Sequence, residues 1–529
     1  MNSTGSSGFN GLRRYRAFRR RWLRGFAALG IALMSGGVFA AVDAVKVTTD
    51  KTVDSSSLET IVGDVIRLSG ARTNDEKAIA LYDYLHGIIF NLQYPVETGQ
   101  TVGPLKFMNV YGWGLCGSEH TVLKSLFETA GFQCRYRGWS NPGHTTIEVN
   151  YDNKWHYFDV FLCCYFWNKE KTVIVGQDEV GNDPAIVKDA AAEGRVPKNS
   201  YVCNGDDPNS FVEGCRSSKA YPPAKPEEGW SSVTGRDVGY SPLLTLRAGE
   251  TLRLDWKNVP GMLVSNAKNK NGSRNSLKCY RNDPVLGPIL EHYGSRAYAN
   301  GRLAYAPDFA KAADLADVSL VNVKVEKGKL VSSGNGSATF NLNLPYPYAL
   351  CKATATFEGG DGKVFVSTDG EKTWTDVSSP APAPADGAPS EELKTAMAAG
   401  AGDVTPFVRQ KYVVSFKAEF SGTLAAFAVN GIVEHNRCVQ PFLVNGRNVV
   451  TVSTRDNKLP EGTALVVTYA YQEATAPGKR ARFEGKDITY GEEKKVVKEA
   501  TKLPCTFEMD VGGNTPPKML YVERALMAK

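Results

Sequence analysis

The chain has 529 residues, 22% of them charged, and a formal net charge of +6. Single hydrophobic cores stop growing near about 250 to 300 residues, so a chain of this length divides into about three units. Seven arginines fall within residues 1–24, which leaves the remainder at −1; no basic stripe with interleaved aromatics survives there, which excludes the electrostatic footprint of a nucleic-acid binder.

Residues 1–40 read as a signal peptide. The arginines stand without an acid through residue 24, and residues 25–40 form an uncharged run of apolar and small side chains. Ala40, with Val38 two positions before it, suits cleavage ahead of Ala41, and Arg19, Arg20, Arg21, Trp22 and Leu23 suit the twin-arginine route. The apolar run is shorter than the ~20 residues of a comfortable membrane span, so an exported, periplasmic or extracellular chain with no stable span is expected. An oxidising compartment permits disulfides, and Cys203 and Cys215, which flank a Gly/Asp/Asn-rich loop, are the expected bridge. The ten cysteines include no Cys-x-x-Cys pair, and the adjacent Cys163 and Cys164 make poor ligand geometry, so neither a metal nor a cofactor is expected.

Residues 73–92 are expected to form a helix, opened by Thr73 and Glu76 in capping-box spacing, with Ile79, Leu81, Leu85, Ile88 and Ile89 on one face. A second helix is expected from Cys116 to Ala130, burying Val122, Leu123, Leu126, Phe127 and Ala130 and stopped by Gly131. Residues 145–151 and 154–160 read as strands of a hairpin turning at Asp152 and Asn153. From Val160 onward the chain reads as loop, ending in a linker at Pro222, Pro223 and Pro226. Beyond it, residues 243–256, 318–325, 338–344, 412–420, 449–454 and 464–471 are short β-runs, which favour β-sandwich modules. The Ala/Pro-rich residues 379–402 read as a mobile insertion between strands.

A thiol attacks as thiolate, and the amino end of a helix lowers a thiol pKa through its unpaired N–H groups. Cys116 holds that position. Gly112 and Gly114 let the approaching backbone come close to a substrate carbonyl, and the Cys116 amide is available to an oxyanion. With Asp152 and Asn153 as the turn, Thr146 lies across from Asp159 and Phe161 across from His144. His144 and Asp159 are then diagonal neighbours on one face, about 7 to 8 Å apart between backbones, a gap that an imidazole and a carboxylate close with a hydrogen bond. Such a bond sets the tautomer of His144 and favours its charged form, so a thiolate–imidazolium pair with Cys116 follows. His156 points to the opposite face and is expected to be structural. His120, one turn along the helix, is expected behind the nucleophile, and Glu119 and Glu148 as ordinary surface or supporting carboxylates.

The run through Tyr111, Gly-Leu-Cys116-Gly-Ser, an amphipathic helix, Gly-His144 and Trp155 to Asp159 resembles the core of the transglutaminase-like superfamily, covering about residues 70–165. The resemblance implies a papain-like α+β domain, a Cys116, His144 and Asp159 triad, and acyl transfer through a thioester to water or an amine. One departure is Thr146, where many relatives carry an aromatic residue. Trp113 is near enough in sequence to line the acyl pocket as a substrate-binding or oxyanion residue. A second, smaller resemblance lies in Ser367, Asp369, Gly370, Thr373 and Trp374, which are similar to an Asp-box hairpin, with Glu371 where a glycine is usual.

The expected architecture is therefore multidomain: the signal peptide 1–40, a transglutaminase-like domain 41–225 with a loop-rich extension, a β-rich domain 226–345, a β-sandwich domain 346–475 and a C-terminal β-rich extension 476–529. The expected activity is cysteine-dependent hydrolysis, deamidation or transamidation of peptide, glycopeptide or cell-wall amides. The alternative is a non-catalytic scaffold that retains the transglutaminase-like fold without turnover and whose β modules bind a cell-surface polysaccharide or protein.

Overall fold

A computed structural model describes residues 41–91, 95, 102–141, 143–195, 209–221, 233–257, 259, 298–377, 402–476 and 488–529. The expected signal peptide, Cys203, the prolines of the expected linker and residues 379–401 of the expected insertion lie outside the described residues.

The described chain opens with strand β1 (Ala41–Thr49), then helices α1 (Leu58–Ser69) and α2 (Asn74–Ile88). Both helices begin with reciprocal capping boxes, Ser57 with Thr60 and Thr73 with Glu76, because each side chain satisfies a backbone N–H left open at a helix start. α2 ends at Ile88, earlier than its apolar pattern suggests, and the following Ile89 is extended. A short π-helical turn, Phe107–Tyr111, closes on Gly112 at φ 62, and α3 (Cys116–Thr129) follows. α3 buries more than the expected apolar side. Ser118, Glu119, His120, Thr121 and Lys124 are as inaccessible as Val122, Leu123, Leu126 and Phe127, so the helix is enclosed all round.

Strands β2 (Gln133–Ser140), β3 (Gly143–Tyr151) and β4 (Lys154–Asp159) form an antiparallel meander, flanked by Cys164–Tyr165 and Lys219–Ala220 in a five-stranded sheet. Asp152 (φ 51) and Asn153 (φ 60) make the tight β3–β4 turn, a left-handed conformation these side chains tolerate. The ladder runs from Tyr151 opposite Lys154 to Ile147 opposite Phe158, which is the expected register.

The segment after Val160 is a correction. It contains helices at Gln177–Asn182, Pro184–Ala192 and Asn209–Ser217. Asp183 caps the second of these and Pro184 occupies its first position, so residues that read as loop formers act here as a helix start.

The β-rich remainder contributes β5 (Leu244–Arg247), β6 (Glu250–Asp255), β7 (Tyr298–Tyr305), β8 (Thr423–Asn436), β9 (Gly446–Ser453), β10 (Thr463–Ala476), β11 (Cys505–Val511) and β12 (Lys518–Ala528). A four-stranded sheet runs β11–β9–β1–β5, and a twelve-stranded sheet contains β8–β7–β6–β12–β10. The protein is thus α+β with several antiparallel sheets. The expected boundaries do not fall between sheets. β1 pairs with β9, Lys329–Asn341 pairs with Ser415–Phe420, and β12 pairs with both β6 and β10. Pairing between segments hundreds of residues apart leaves no local signature, which is why the chain reads as separate modules. The described residues belong to one compact unit.

The β-rich part also braces the amino-terminal part. Asn436, at the end of β8, donates from Nδ2 to the carbonyls of Ile88 at 2.9 Å and Met108 at 2.7 Å. These two bonds hold the end of α2 and the turn before α3, the two stretches that approach Cys116 in sequence. Among the described residues, no helix is long and apolar enough to cross a membrane.

Candidate active site

Cys116 is the first residue of α3, behind the extended Leu115. Ser118 ties this entry down, its hydroxyl accepting from the Leu115 amide at 3.0 Å and donating to the Leu115 carbonyl at 2.9 Å. The first turn of α3 therefore presents its amide groups around a free, partly buried thiol.

β3 and β4 bring the other two expected residues together. His144 Nε2 lies 2.7 Å from Asp159 Oδ2, both side chains buried. With Nε2 donating to the carboxylate, Nδ1 is the nitrogen left for Cys116; it has no hydrogen-bond partner among the described residues, and the thiol is near enough for the His144 charge to act on it. Burial acts to raise the Cys116 pKa, but the neighbouring His144 outweighs it and holds the thiol below its usual value. Burial likewise acts against the His144 cation, and the Asp159 charge overrides it, pushing His144 up to about 10. Both directions favour thiolate and imidazolium. By contrast, burial pushes the thiols of Cys134, Cys215 and Cys351 up.

Asp159 is held from several sides. Tyr157 Oη donates to its Oδ2 at 2.7 Å and the Leu162 amide to its Oδ1 at 2.7 Å. Although complete burial opposes ionisation, the charges of His144 and His120 keep this carboxyl far below the usual carboxylate range. Trp139, paired with His144 across the β2–β3 ladder, sets its ring edge-on to the imidazole at 5.0 Å, and Phe161 packs on the imidazole at 5.6 Å. The Trp139 indole donates to Gln177 at 2.7 Å, so a helix of the segment that read as loop anchors the cover of the site.

Four expectations change. His120 belongs to the site: its Nδ1 lies 2.7 Å from the Cys116 carbonyl and its Nε2 3.4 Å from Asp159 Oδ1. The helical spacing of four residues from Cys116 was the available signal; the position of Asp159 beside that face was not legible. Glu119 is not a surface carboxylate but fully buried, with neither oxygen partnered, and burial raises its pKa far above the usual range. Glu148 is a buried hub, bonded to Arg135 at 2.8 Å, Arg137 at 3.2 Å and the Gln177 amide at 2.8 Å. Trp113 is fully buried against Tyr111, with ring centroids 5.5 Å apart, so it presents no wall to a substrate.

His156 stays on the opposite face, stacked on Tyr151 at 3.7 Å and bonded to the Ile174 carbonyl at 2.6 Å. Cys215 carries a free buried thiol, which corrects the expected bridge with Cys203. His120, His144 and Asp159 bring three ligand atoms within 4.8 Å of one another, a donor set for a metal ion that sequence spacing did not suggest. Its carboxylate is already engaged by Tyr157 and Leu162, and His144 Nε2 by that same carboxylate.

The small resemblance to an Asp-box is a formed hairpin between Gly362–Ser367 and Thr375–Asp376. Asp369 accepts from the amides of Lys372 and Thr373 and from the hydroxyls of Ser367 and Thr373, and Lys417 lies 4.7 Å over the Trp374 ring. Its interactions are those of a turn, with a structural role.

Fold and site together define a helix-terminal thiol addressed by a buried imidazole–carboxylate pair. Comparison with protein-family models, curated proteins and solved structures returned no match to this chain.

Proposed function

We propose that this chain is an exported, transglutaminase-like cysteine enzyme that transfers the acyl group of a peptide, glycopeptide or cell-wall amide. The observation that carries the reading is the 2.7 Å hydrogen bond between His144 Nε2 and Asp159, which leaves Nδ1 unpartnered among the described residues, with the ring close enough to Cys116 to lower its thiol pKa. The Cys116 thiolate attacks the amide carbonyl, whose oxygen is stabilised by the open amides at the start of α3. The C–N bond breaks as the His144 imidazolium gives its proton to the leaving amine, leaving a thioester on Sγ. Neutral His144 then takes a proton from water or an acceptor amine, which attacks the thioester, breaks the C–S bond and restores the thiolate and imidazolium. Hydrolysis, deamidation and transamidation share this intermediate and differ in the acceptor. The arginine-bearing and apolar stretches of residues 1–40 support export.

Incubation with mixed peptide and cell-wall substrates, followed by mass spectrometry, is expected to reveal an acyl adduct on Cys116 that disappears in His144→Ala. Adducts spread over other cysteines, or none with any substrate, would overturn the reading.

A scaffold reading draws on one observation: His144 is 5% exposed, covered by Trp139 and Phe161, so the base itself is almost closed to solvent. Glycan binding that survives Cys116→Ala, with no turnover of peptide libraries, is the result that selects it.

A further inference from the structure

Arg524 lies in β12, between β6 and β10, opposite Leu252 and Val467. It is 6% exposed. The neighbouring side chains that act on its charge are the hydroxyls of Tyr346 and Tyr469, and it forms no salt bridge or hydrogen bond among the described residues. Burial therefore works against its ionisation. A guanidinium in such a place keeps its charge and its five donors, and a largely buried charge without a protein partner is costly for a fold to sustain.

Its surroundings offer an explanation. Arg524 lines a small cleft, continuous with solvent, between β1, the approach to α1 and the strand that carries it. Lys46, Asp54, Asn109, Tyr346 and Gln440 also line it, and none of Cys116, His144 and Asp159 does. Lys46 is committed elsewhere, its Nζ 3.1 Å from Asp54 and 2.6 Å from the Ser56 hydroxyl. Lys46 and Asp54 cancel, so the cleft is left with the single positive charge of Arg524. A second polar group nearby is unspent: Tyr469 Oη has no partner among the described residues.

We infer that this cleft is a binding site for the carboxylate group of a small organic acid, gripped by Arg524. The fork of a guanidinium matches the two oxygens of a carboxylate, and a monoanion balances one uncompensated charge where a phosphate dianion would overshoot it. Sugar acids and the carboxyl end of a peptide both carry such a group, and because Ser55, Ser56 and Asn109 in the lining are bonded to one another and to Lys46, Arg524 supplies the recognition. This assignment does not depend on the thiol chemistry and stands or falls separately.

The test titrates the full chain with D-glucuronate and with N-acetyl-D-alanine, each against its neutral amide, with inorganic phosphate and chloride as further arms. Thermal stability and calorimetry are the readouts. Saturable binding of one or both acids and none of their amides is expected, the acid that binds distinguishing sugar from peptide. Arg524→Met is expected to melt higher than the wild type without ligand, since it removes a buried unpaired charge, and to lose affinity roughly 10- to 100-fold. Should that variant not fold, glucuronate or N-acetyl-D-alanine soaked into wild-type crystals must still show its carboxylate on Arg524. Equal binding of acid and amide, binding of phosphate or chloride alone, undiminished binding by Arg524→Met, or a soaked acid located elsewhere would each overturn the assignment.

Discussion

His120 Nε2 lies 3.4 Å from Asp159 Oδ1, while its Nδ1 approaches the carbonyl of Cys116 at 2.7 Å. One imidazole thus spans the first turn of α3 and the end of β4, the two pieces that must meet for the thiol to face its base. It acts through Asp159 and the helix start, as a positioning residue.

Asp159→Asn is expected to separate these roles. The amide leaves His144 without a charged partner, so acyl transfer should fall by on the order of 10² to 10⁴. Loss of one partner from a buried pair should cost about 3 to 5 kcal/mol at neutral pH. Because the folded carboxyl is held below its ordinary value of 3.8, its stabilisation is present above that pH and is lost as pH falls through the folded pKa. Urea unfolding of both proteins should therefore converge in strong acid; a deficit that stays constant down to pH 2 would contradict this.

Alkylation of Cys116 should persist below the pH at which ordinary thiols lose reactivity, because His144 holds the thiol below 9.0. In His144→Ala the pH limb should move upward. Peptide-mapped rates with iodoacetamide measure this directly, and an unchanged limb would dissociate His144 from the thiol. The stability contribution of His144 has the opposite course from Asp159: its pKa is raised from 6.5 to about 10, so the contribution is full below 6.5 and fades as pH rises through about 10.

Glu119→Gln should stabilise the protein at pH 7.5. Burial keeps the folded carboxyl protonated well above 4.5, so the native state gives up stability as pH rises past 4.5 and the unfolded chain ionises. The gain of the glutamine variant should shrink towards pH 4.5. A variant less stable than wild type at both values would mean that Glu119 is a needed charge.

Glu371→Gly should hold or raise stability, by up to about 1 kcal/mol, although it forfeits the contact with the Ser415 hydroxyl at 3.3 Å. Glu371 sits at φ 67, where a side chain is strained and glycine is not. A lower urea midpoint would show that the Ser415 contact outweighs the backbone.

Much of the site could be read from local pattern because its geometry is local. Asp152 and Asn153 set a tight turn, the turn sets the β3–β4 register, and the register places His144 and Asp159 on one face. The capping residues Thr73 and Glu76 opened α2 for the same reason, as neighbouring side chains satisfying neighbouring amides. Asp183 and Pro184 were misread because the same residue types start helices and make loops, and composition alone does not distinguish them.

What the sequence by itself determined was a helix beginning at Cys116, a hairpin with a legible register and β-runs without an order. Only the tertiary structure decided that β1 joins β9, that β12 lies between β6 and β10, and that Glu119, His120 and Trp113 are all enclosed. Short-range hydrogen bonding specifies the first set, since each choice is made within a few residues. The second depends on which distant surfaces exclude water from one another, and that is a property of the assembled chain.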